Sequence, residues 1–271
     1  MSKQSIDLLS RQIRTDILEI AYETESIHVG SCLSCVDLLI ALYYQVLSVR
    51  PEEPNWPLRD RFILSKGHAA LALYAVLAHR GYYPIELVHT FNQNKSRFTA
   101  HPVWKNIPGI DATSGSLGHG LGIGCGMALA AKISGQKYRT FVLVGDGECE
   151  EGSIWEAALF APAHHLNNLV VIIDSNKWQA SGRSDEILNL SSLKQKLSEF
   201  GWDAYEIDGH DINGMTDLFY LVFSSQERPI AIIANTIKGK GVSFMENDNQ
   251  WHNRVPSKED VWNARRELVD L

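Results

Sequence analysis

The sequence predicts an α/β fold, a parallel sheet with helices on both faces. Three observations lead there. Apolar, β-branched runs recur as "RTFVLVG" (139–145), "LVVIIDS" (169–175) and "PIAIIANT" (229–236). Segments of helical character separate them. The runs are continuous rather than alternating, which marks strands buried on both faces, as crossover helices bury a parallel sheet.

Each element follows in order. Residues 5–27 read as a helix, because Ile6, Leu9, Ile13, Ile17 and Ile20 fall on one stripe. A second helix is expected over 34–47. The Pro-rich "RPEEPNWPLRD" (50–60) is a loop, and "RFILS" (61–65) a short strand. "GHAALALYAVLAHRG" is a helix ended by Gly81. Residues 92–117 are rich in Asn, Pro, Gly, Ser and Thr. They read as a long functional loop, since structureless loops of that length are otherwise uncommon. "GHGLGIGCGMALAAKISG" is a helix with glycines at its start. Strands at 139–145, 169–175, 203–208 ("DAYEID") and 229–236 then alternate with helices at 152–166, 190–200 and 213–225. A charged helix over 257–268 closes the chain. With no linker, repeat or low-complexity segment, residues 1–271 read as a single domain.

Composition narrows the function. The net charge is -7 with no basic block, which argues against a nucleic-acid partner. The N-terminal "MSKQSIDLLSRQIRTDILEIAYE" carries charges throughout, so neither a signal peptide nor a membrane span is expected, and a cytoplasmic location is. Cys32-x-x-Cys35 has no second CxxC and no neighbouring His pair to complete a zinc site. It reads as the start of a helix. Gly118, Gly120, Gly122, Gly124 and Gly126 alternate and form no G-x-G-x-x-G, which sets a dinucleotide site aside. Their use is close packing against a cofactor or a neighbouring helix.

The chemistry lies at the strand ends, where α/β sheets bind ligands. Asp146 follows "TFVLVG" and Asn176 follows "LVVIIDS". If the two strands are neighbours, a carboxylate, an amide oxygen and a backbone carbonyl converge on a hard cation. Magnesium suits such a set because it keeps few protein ligands and takes phosphate oxygens. Gly145 and Gly147 allow backbone N–H groups close to an anion, and the following helix adds its positive end. The pattern reads as a metal-bridged diphosphate site. On its own a Gly-Asp-Gly is equally well a turn; Asn176 at a second strand end favours the site.

Gly145-Asp146-Gly147, followed by "NNLVVIIDSNKW", resembles the thiamine diphosphate signature, and nearly the whole chain resembles transketolase. The segments "SIHVGSCLSCVDLL" (26–39), "DRFILSKGHAALALYAVLA" (60–78), "HPVWKNIPGIDATSGSLGHGLGIGCGMALA" (101–130) and "TIKGKGVSFMENDNQWHNRVP" (236–256) carry it. The resemblance implies the diphosphate-binding (PP-type) domain, with thiamine diphosphate and magnesium, or calcium or manganese in its place. It implies that Asp146, Asn176 and the carbonyl of Trp178 hold the metal. Gly147 and Glu148 offer backbone contacts to the diphosphate, and His68 and His252 sit beside it near the reacting centre. His28 and His252 assist proton transfers, and His101 bonds a hydroxyl of the two-carbon unit. Gly115, Ser116 and Leu117 lie beside the aminopyrimidine ring, and Glu151 joins a carboxylate network at a subunit interface. Histidine suits proton transfer because its pKa lies near neutrality. The other histidines read as structural, with the role of His119 open.

Long transketolases continue into a pyrimidine-binding domain whose glutamate activates the cofactor's ring. No acidic residue here sits in a motif matching that glutamate. The resemblance therefore implies the N-terminal subunit of a split transketolase, partnered by a pyrimidine-domain subunit in a heterotetramer of two of each chain. Its substrates are sugars or sugar phosphates. Ser116 stands where long transketolases commonly have proline, which leaves donor and acceptor open. Other readings are a subunit of another thiamine enzyme (2-oxo acid or deoxyxylulose-phosphate synthase type), a relative serving secondary metabolism, or a non-catalytic cofactor-binding scaffold.

Overall fold

All the expected strands form and join one parallel sheet. The computed structural model describes residues 3–190, 192–224 and 227–269. The strands are β1 (Arg61–Leu64), β2 (Thr140–Gly145), β3 (Leu169–Ser175), β4 (Asp203–Asp208) and β5 (Ile230–Asn235). They form a five-stranded sheet in the order β1-β2-β3-β5-β4. Parallel register pairs Gly145 with Asp174, and Ser175 with Asn235, so β2, β3 and β5 end side by side. β3 is buried along its length, while β4, an edge strand of mixed residues, is half-exposed.

The helices are α1 (Lys3–Glu23), α2 (Val29–Ser34), α3 (Val36–Ala41), α4 (Ala70–Arg80), α5 (His119–Ile133), α6 (Gly152–Ala163), α7 (Ser184–Ile187), α8 (Leu193–Glu199), α9 (Ile212–Phe223) and α10 (Lys258–Val269). Successive strand side chains point to opposite faces, so each strand feeds two cores. Phe141, Leu143, Val170, Ile172 and Ile232 pack against apolar residues of α1, α3, α4 and α9. Val142, Val144, Val171, Ile173 and Ile233 pack against residues of α5, α6 and α8, with Trp202 buried among them.

Several elements depart from expectation. The helix expected over 34–47 begins earlier, at Val29, and is interrupted at Cys35 (φ −103°, ψ 5°). Its last turn, Leu42–Val46, is π-helical. Gly30 lets α2 pack closely on a later segment: a Cβ there would lie 3.2 Å from both Lys238 and Trp251. The helix expected over 190–200 is shorter, and Ser191 lies outside the described residues, as does Ser225 at the end of the helix expected over 213–225. The glycine alternation of α5 splits in two. A Cβ on Gly120 would collide with Ser65 and one on Gly124 with Val142, whereas Gly122 and Gly126 face open space. Close packing therefore explains only part of the pattern.

Candidate functional site

Beyond the C-terminal ends of β1, β2 and β3 lies a cleft of about 570 Å³. It is lined by His28, His68, His101, Gly115, Leu117, Asp146, Gly147, Glu148, Glu151, Asn176, Trp178 and His252. Every residue singled out from the sequence except Ser116 is in this lining, and Ser116 is exposed between Gly115 and Leu117.

Asp146 and Asn176 stand at the ends of adjacent strands, as their spacing requires. The Asp146 carboxylate accepts from the Lys177 N–H (2.8 Å) and the Ser184 hydroxyl (3.0 Å). Lys177 takes a left-handed φ of 70°, which turns the chain back over the strand ends. Burial, then the charge of Asp174, pushes the Asp146 carboxyl up to about 6. The neighbouring amide is oriented from below: Asn176 Nδ2 donates to Asp174 Oδ2 at 3.4 Å, and its Oδ1 accepts from the Trp178 N–H at 3.0 Å.

Asp174 forms the floor. It is fully buried and accepts from Lys66 Nζ, the Ser34 hydroxyl (2.6 Å) and the Thr236 hydroxyl. Burial alone pushes this carboxyl up; the Lys66 ammonium and these donors outweigh it and hold it below the ordinary carboxylate value. The same partnership holds Lys66 charged against its own burial. Lys66 also donates to the Ser31 carbonyl at 3.1 Å, tying the floor to α2.

Three imidazoles form one wall. Ring centroids lie 5.3 Å apart for His28–His68, 5.2 Å for His28–His252 and 5.4 Å for His68–His252. His28 occupies the left-handed region (φ 70°) just before α2, and its N–H donates to the His252 carbonyl. Lys238 Nζ lies 3.0 Å from His252 Nδ1 and donates to Asn249 Oδ1 at 2.8 Å. Burial, then the charges of neighbouring groups, moves these rings down: His28 to about 4 by His101, Lys238 and Lys66, and His252 to about 3 by Lys238, His28 and Lys66. His68 is moved well below its ordinary value for the same first reason, with Lys66 next. Lys238 itself is lowered to about 8, by burial and then by Lys66. His101 lines the same cleft, its ring 3.2 Å from where a Gly115 Cβ would be, and Gly115 has φ 133°.

The site holds more than the sequence motifs picked out. Glu148 was expected to offer its backbone; its buried side chain is also a brace, accepting from the Ser65 hydroxyl, the Gly118 N–H (2.9 Å) and the Gly145 N–H (3.0 Å). Lys66, Asp174 and Lys238 were missed. Their signal was present, a charged residue within or just after an apolar strand, in "ILSKGH", "VVIIDSN" and "ANTIKGK". Glu151 is exposed at the cleft edge. Of the histidines read as structural, His79 bonds Asp16, His89 bonds Glu23, His164 stacks on Phe160, and His119 Nδ1 lies 3.1 Å from the Leu117 carbonyl. All four cysteines are free and buried. No helix among the described residues is long and apolar enough to cross a membrane.

The cleft suits a metal-bound anion. Asp146 is a buried carboxylate whose donors are neutral, the N–H groups of Gly147 and Lys177 and the Ser184 hydroxyl, so a cation beside it relieves its burial. The Trp178 indole N–H and the Ser114 hydroxyl are buried without a protein partner, one lining the cleft and the other next to Gly115. Buried polar atoms are almost always partnered, so these two have hydrogen-bonding capacity left for a bound group.

Comparison with known proteins agrees. The family model described as "Transketolase, thiamine diphosphate binding domain" matches residues 3–269. The chain is 40% identical over 270 residues to one of the subunits of the apulose-4-phosphate transketolase of Phocaeicola vulgatus, covering 100% of this chain and 96% of that one. It is 41% identical over 266 residues to the 6-deoxy-6-sulfo-D-fructose transketolase subunit SqwG of a Clostridium species, covering 97% of this chain and 96% of that one. The transketolase structure from Campylobacter jejuni superposes with a TM-score of 0.92 at 28% identity, covering 99% of this chain but 43% of its own. The chain thus spans the length of the subunit-type relatives and less than half of the long transketolase. It belongs to the transketolase family, matching its thiamine diphosphate binding domain and, over nearly their whole length, relatives named as transketolase subunits.

Proposed function

We propose that this chain is the cofactor-binding subunit of a two-subunit transketolase. The complex moves a two-carbon ketol unit from a ketose, free or phosphorylated, to an aldose acceptor. The observation that carries the reading is the pairing of Asp146 and Asn176 at adjacent strand ends, facing a wall of His28, His68 and His252 within one cleft. Relatives named as transketolase subunits, of nearly this length, support the split assembly. The partner is a pyrimidine-domain chain, in a heterotetramer of two of each, and a cytoplasmic location belongs to the same reading.

In this reading Asp146, the Asn176 amide oxygen and the Trp178 carbonyl hold a divalent cation, magnesium by preference and calcium or manganese in its place. The backbones of Gly147 and Glu148 and the ring of His68 contact the diphosphate. Gly115, Ser116 and Leu117, exposed at the cleft rim, receive the aminopyrimidine ring, and Glu151 faces the partner. Thiamine diphosphate, once bound, supplies the carbon centre that accepts and releases the ketol unit. The chain's own residues bind and move protons. His101 bonds a hydroxyl of the two-carbon unit. His28 and His252 exchange protons with the sugar hydroxyls. In the free chain these two rings are poor bases, at about 4 and about 3. A nearby anion favours the charged imidazole, so diphosphate binding brings both towards the range useful for proton transfer.

The two relatives are named for different ketoses at nearly equal identity. The donor is therefore sought by a screen that includes phosphorylated and sulfonated ketoses. The deciding experiment mixes this chain and its partner with thiamine diphosphate, magnesium, a ketose donor and an aldose acceptor. Transfer is expected from the mixture and not from this chain alone. Full transfer by the isolated chain, or a complex that turns over unhydroxylated 2-oxo acids and takes no ketol unit from any ketose, overturns the reading. His28→Ala and His101→Ala separate an enzyme from a scaffold, since a scaffold keeps its biological activity through both.

A further inference from the structure

His210 lies outside the cleft lining, on the turn after β4, yet both of its ring nitrogens are engaged. Nδ1 lies 2.8 Å from Asp37 Oδ2, and Nε2 lies 2.9 Å from the backbone nitrogen of Ile237. A backbone N–H can only donate, so Nε2 accepts and the ring proton sits on Nδ1, aimed at Asp37. Asp37 is built to receive it. Its carboxylate is also gripped by Arg14 (2.7 and 3.0 Å) and by the Ser10 hydroxyl (2.7 Å).

The far end of this chain of contacts is the turn that carries Lys238. Ile237 N–H is tied to His210, Gly239 N–H to the Gly30 carbonyl (3.0 Å), and the Lys240 carbonyl to Arg14 Nε (2.8 Å). Gly239 has φ +79°, and a Cβ there would fall on the Met245 carbonyl, so the turn has little freedom. Lys238 leaves this turn to meet His252 Nδ1 at 3.0 Å. An ammonium has no acceptor, so Nδ1 accepts and the His252 proton stays on Nε2.

We propose that His210 is a positioning residue for the histidine wall: through the Ile237 N–H it fixes the turn that presses Lys238 against His252, and so sets which nitrogen of His252 carries the proton. Arg14, Asp37 and Ser10 orient His210, as outer partners orient a site histidine elsewhere. The inference rests on reading His252 as a site residue. Its experiment reads proton positions rather than ketol transfer, so the two can fail separately.

The test is ring and amide NMR on the full chain with ¹⁵N-labelled histidine. In the wild type, His210 is expected with its proton on Nδ1 and His252 with its proton on Nε2. The opposite tautomer at His210 overturns the proposal, and this measurement needs no variant to fold. In His210→Ala the Ile237 amide is expected to exchange about 10- to 100-fold faster, the loss of one hydrogen bond to a half-buried donor. His252 becomes a mixture of tautomers. His210→Gln, whose amide can both accept from Ile237 and donate to Asp37, restores the single tautomer. A His210→Ala chain that is merely less stable, with the His252 tautomer and Ile237 exchange unchanged, overturns the proposal, as does failure of His210→Gln to restore it.

Discussion

Asp146 and Asp174 sit at the ends of neighbouring strands, both buried, and the fold treats them oppositely. Asp174 receives a lysine, two hydroxyls and an amide, and its acidity is strengthened. Asp146 receives only neutral donors and is pushed up to about 6. A carboxylate whose charge is balanced by its own chain is structure. One whose charge is left unbalanced has room for a cation beside it. The cleft floor and its mouth thus divide the labour between two residues of the same type.

The largest expected effect breaks the floor. Asp174→Asn removes the counter-charge of Lys66, whose side chain is 1% exposed. Removing one member of a buried ion pair typically costs about 3–5 kcal/mol, because the remaining charge is left buried. Denaturant unfolding is expected to show a loss of that size. Adding Lys66→Met to Asp174→Asn is expected to recover part of it. Equal losses in the single and double variants would sink the view of Asp174 as an internally balanced charge.

The next effect belongs to the mouth and depends on pH. Asp146 rises from 3.8 in the unfolded chain to about 6 in the folded one. The folded chain therefore binds this proton more tightly. Its stabilising contribution is fully present below about 4 and is lost as pH rises through about 6, above which both states are ionised. A rise of that size corresponds to about 3 kcal/mol. Asp146→Asn is expected to remove this slope from a stability-against-pH curve. Magnesium with thiamine diphosphate is expected to raise the Tm more above about pH 6 than below it, since the cation meets an ionised carboxylate only there. A wild-type curve flat between pH 4 and 6 would contradict the contrast with Asp174.

A smaller effect tests the brace between the two. Gly120→Ala places a Cβ onto Ser65, which bonds Glu148. Overpacking of this kind costs about 1–3 kcal/mol, and the variant is expected to lose stability within that range by thermal unfolding. Gly122→Ala, facing open space, is the control and is expected to be neutral or stabilising.

Much of this was legible in the sequence, for physical reasons. Short continuous β-branched runs favour buried strands over helices, so β2, β3 and β5 were readable, and with them the placing of Asp146 and Asn176 at adjacent strand ends. The break at Cys35 and the π-turn at Leu42–Val46 were not, because tertiary packing and not local propensity sets them. Lys66, Asp174 and Lys238 were missed for a different reason. A lone charge in or after an apolar run reads as a strand end, and only the fold shows that Lys66 and Asp174, 108 positions apart, are buried partners. His210 escaped likewise, since its partners Asp37 and Ile237 come from distant segments.

The smallest effect sharpens the contrast at a single atom. The Trp178 indole N–H is buried with no protein acceptor, while its ring is covered by Arg183, 4.4 Å from the centroid. An unsatisfied buried donor is a liability of about 1–3 kcal/mol that a ligand oxygen can remove. Trp178→Phe keeps an aromatic ring under Arg183 and deletes the donor. Without ligand, the variant is expected to be as stable as the wild type or more stable by about 1 kcal/mol. With thiamine diphosphate and magnesium, the order is expected to reverse, with cofactor binding weakened several-fold by titration calorimetry. If the variant binds cofactor as well as the wild type does, the indole N–H is a structural defect and not part of the mouth.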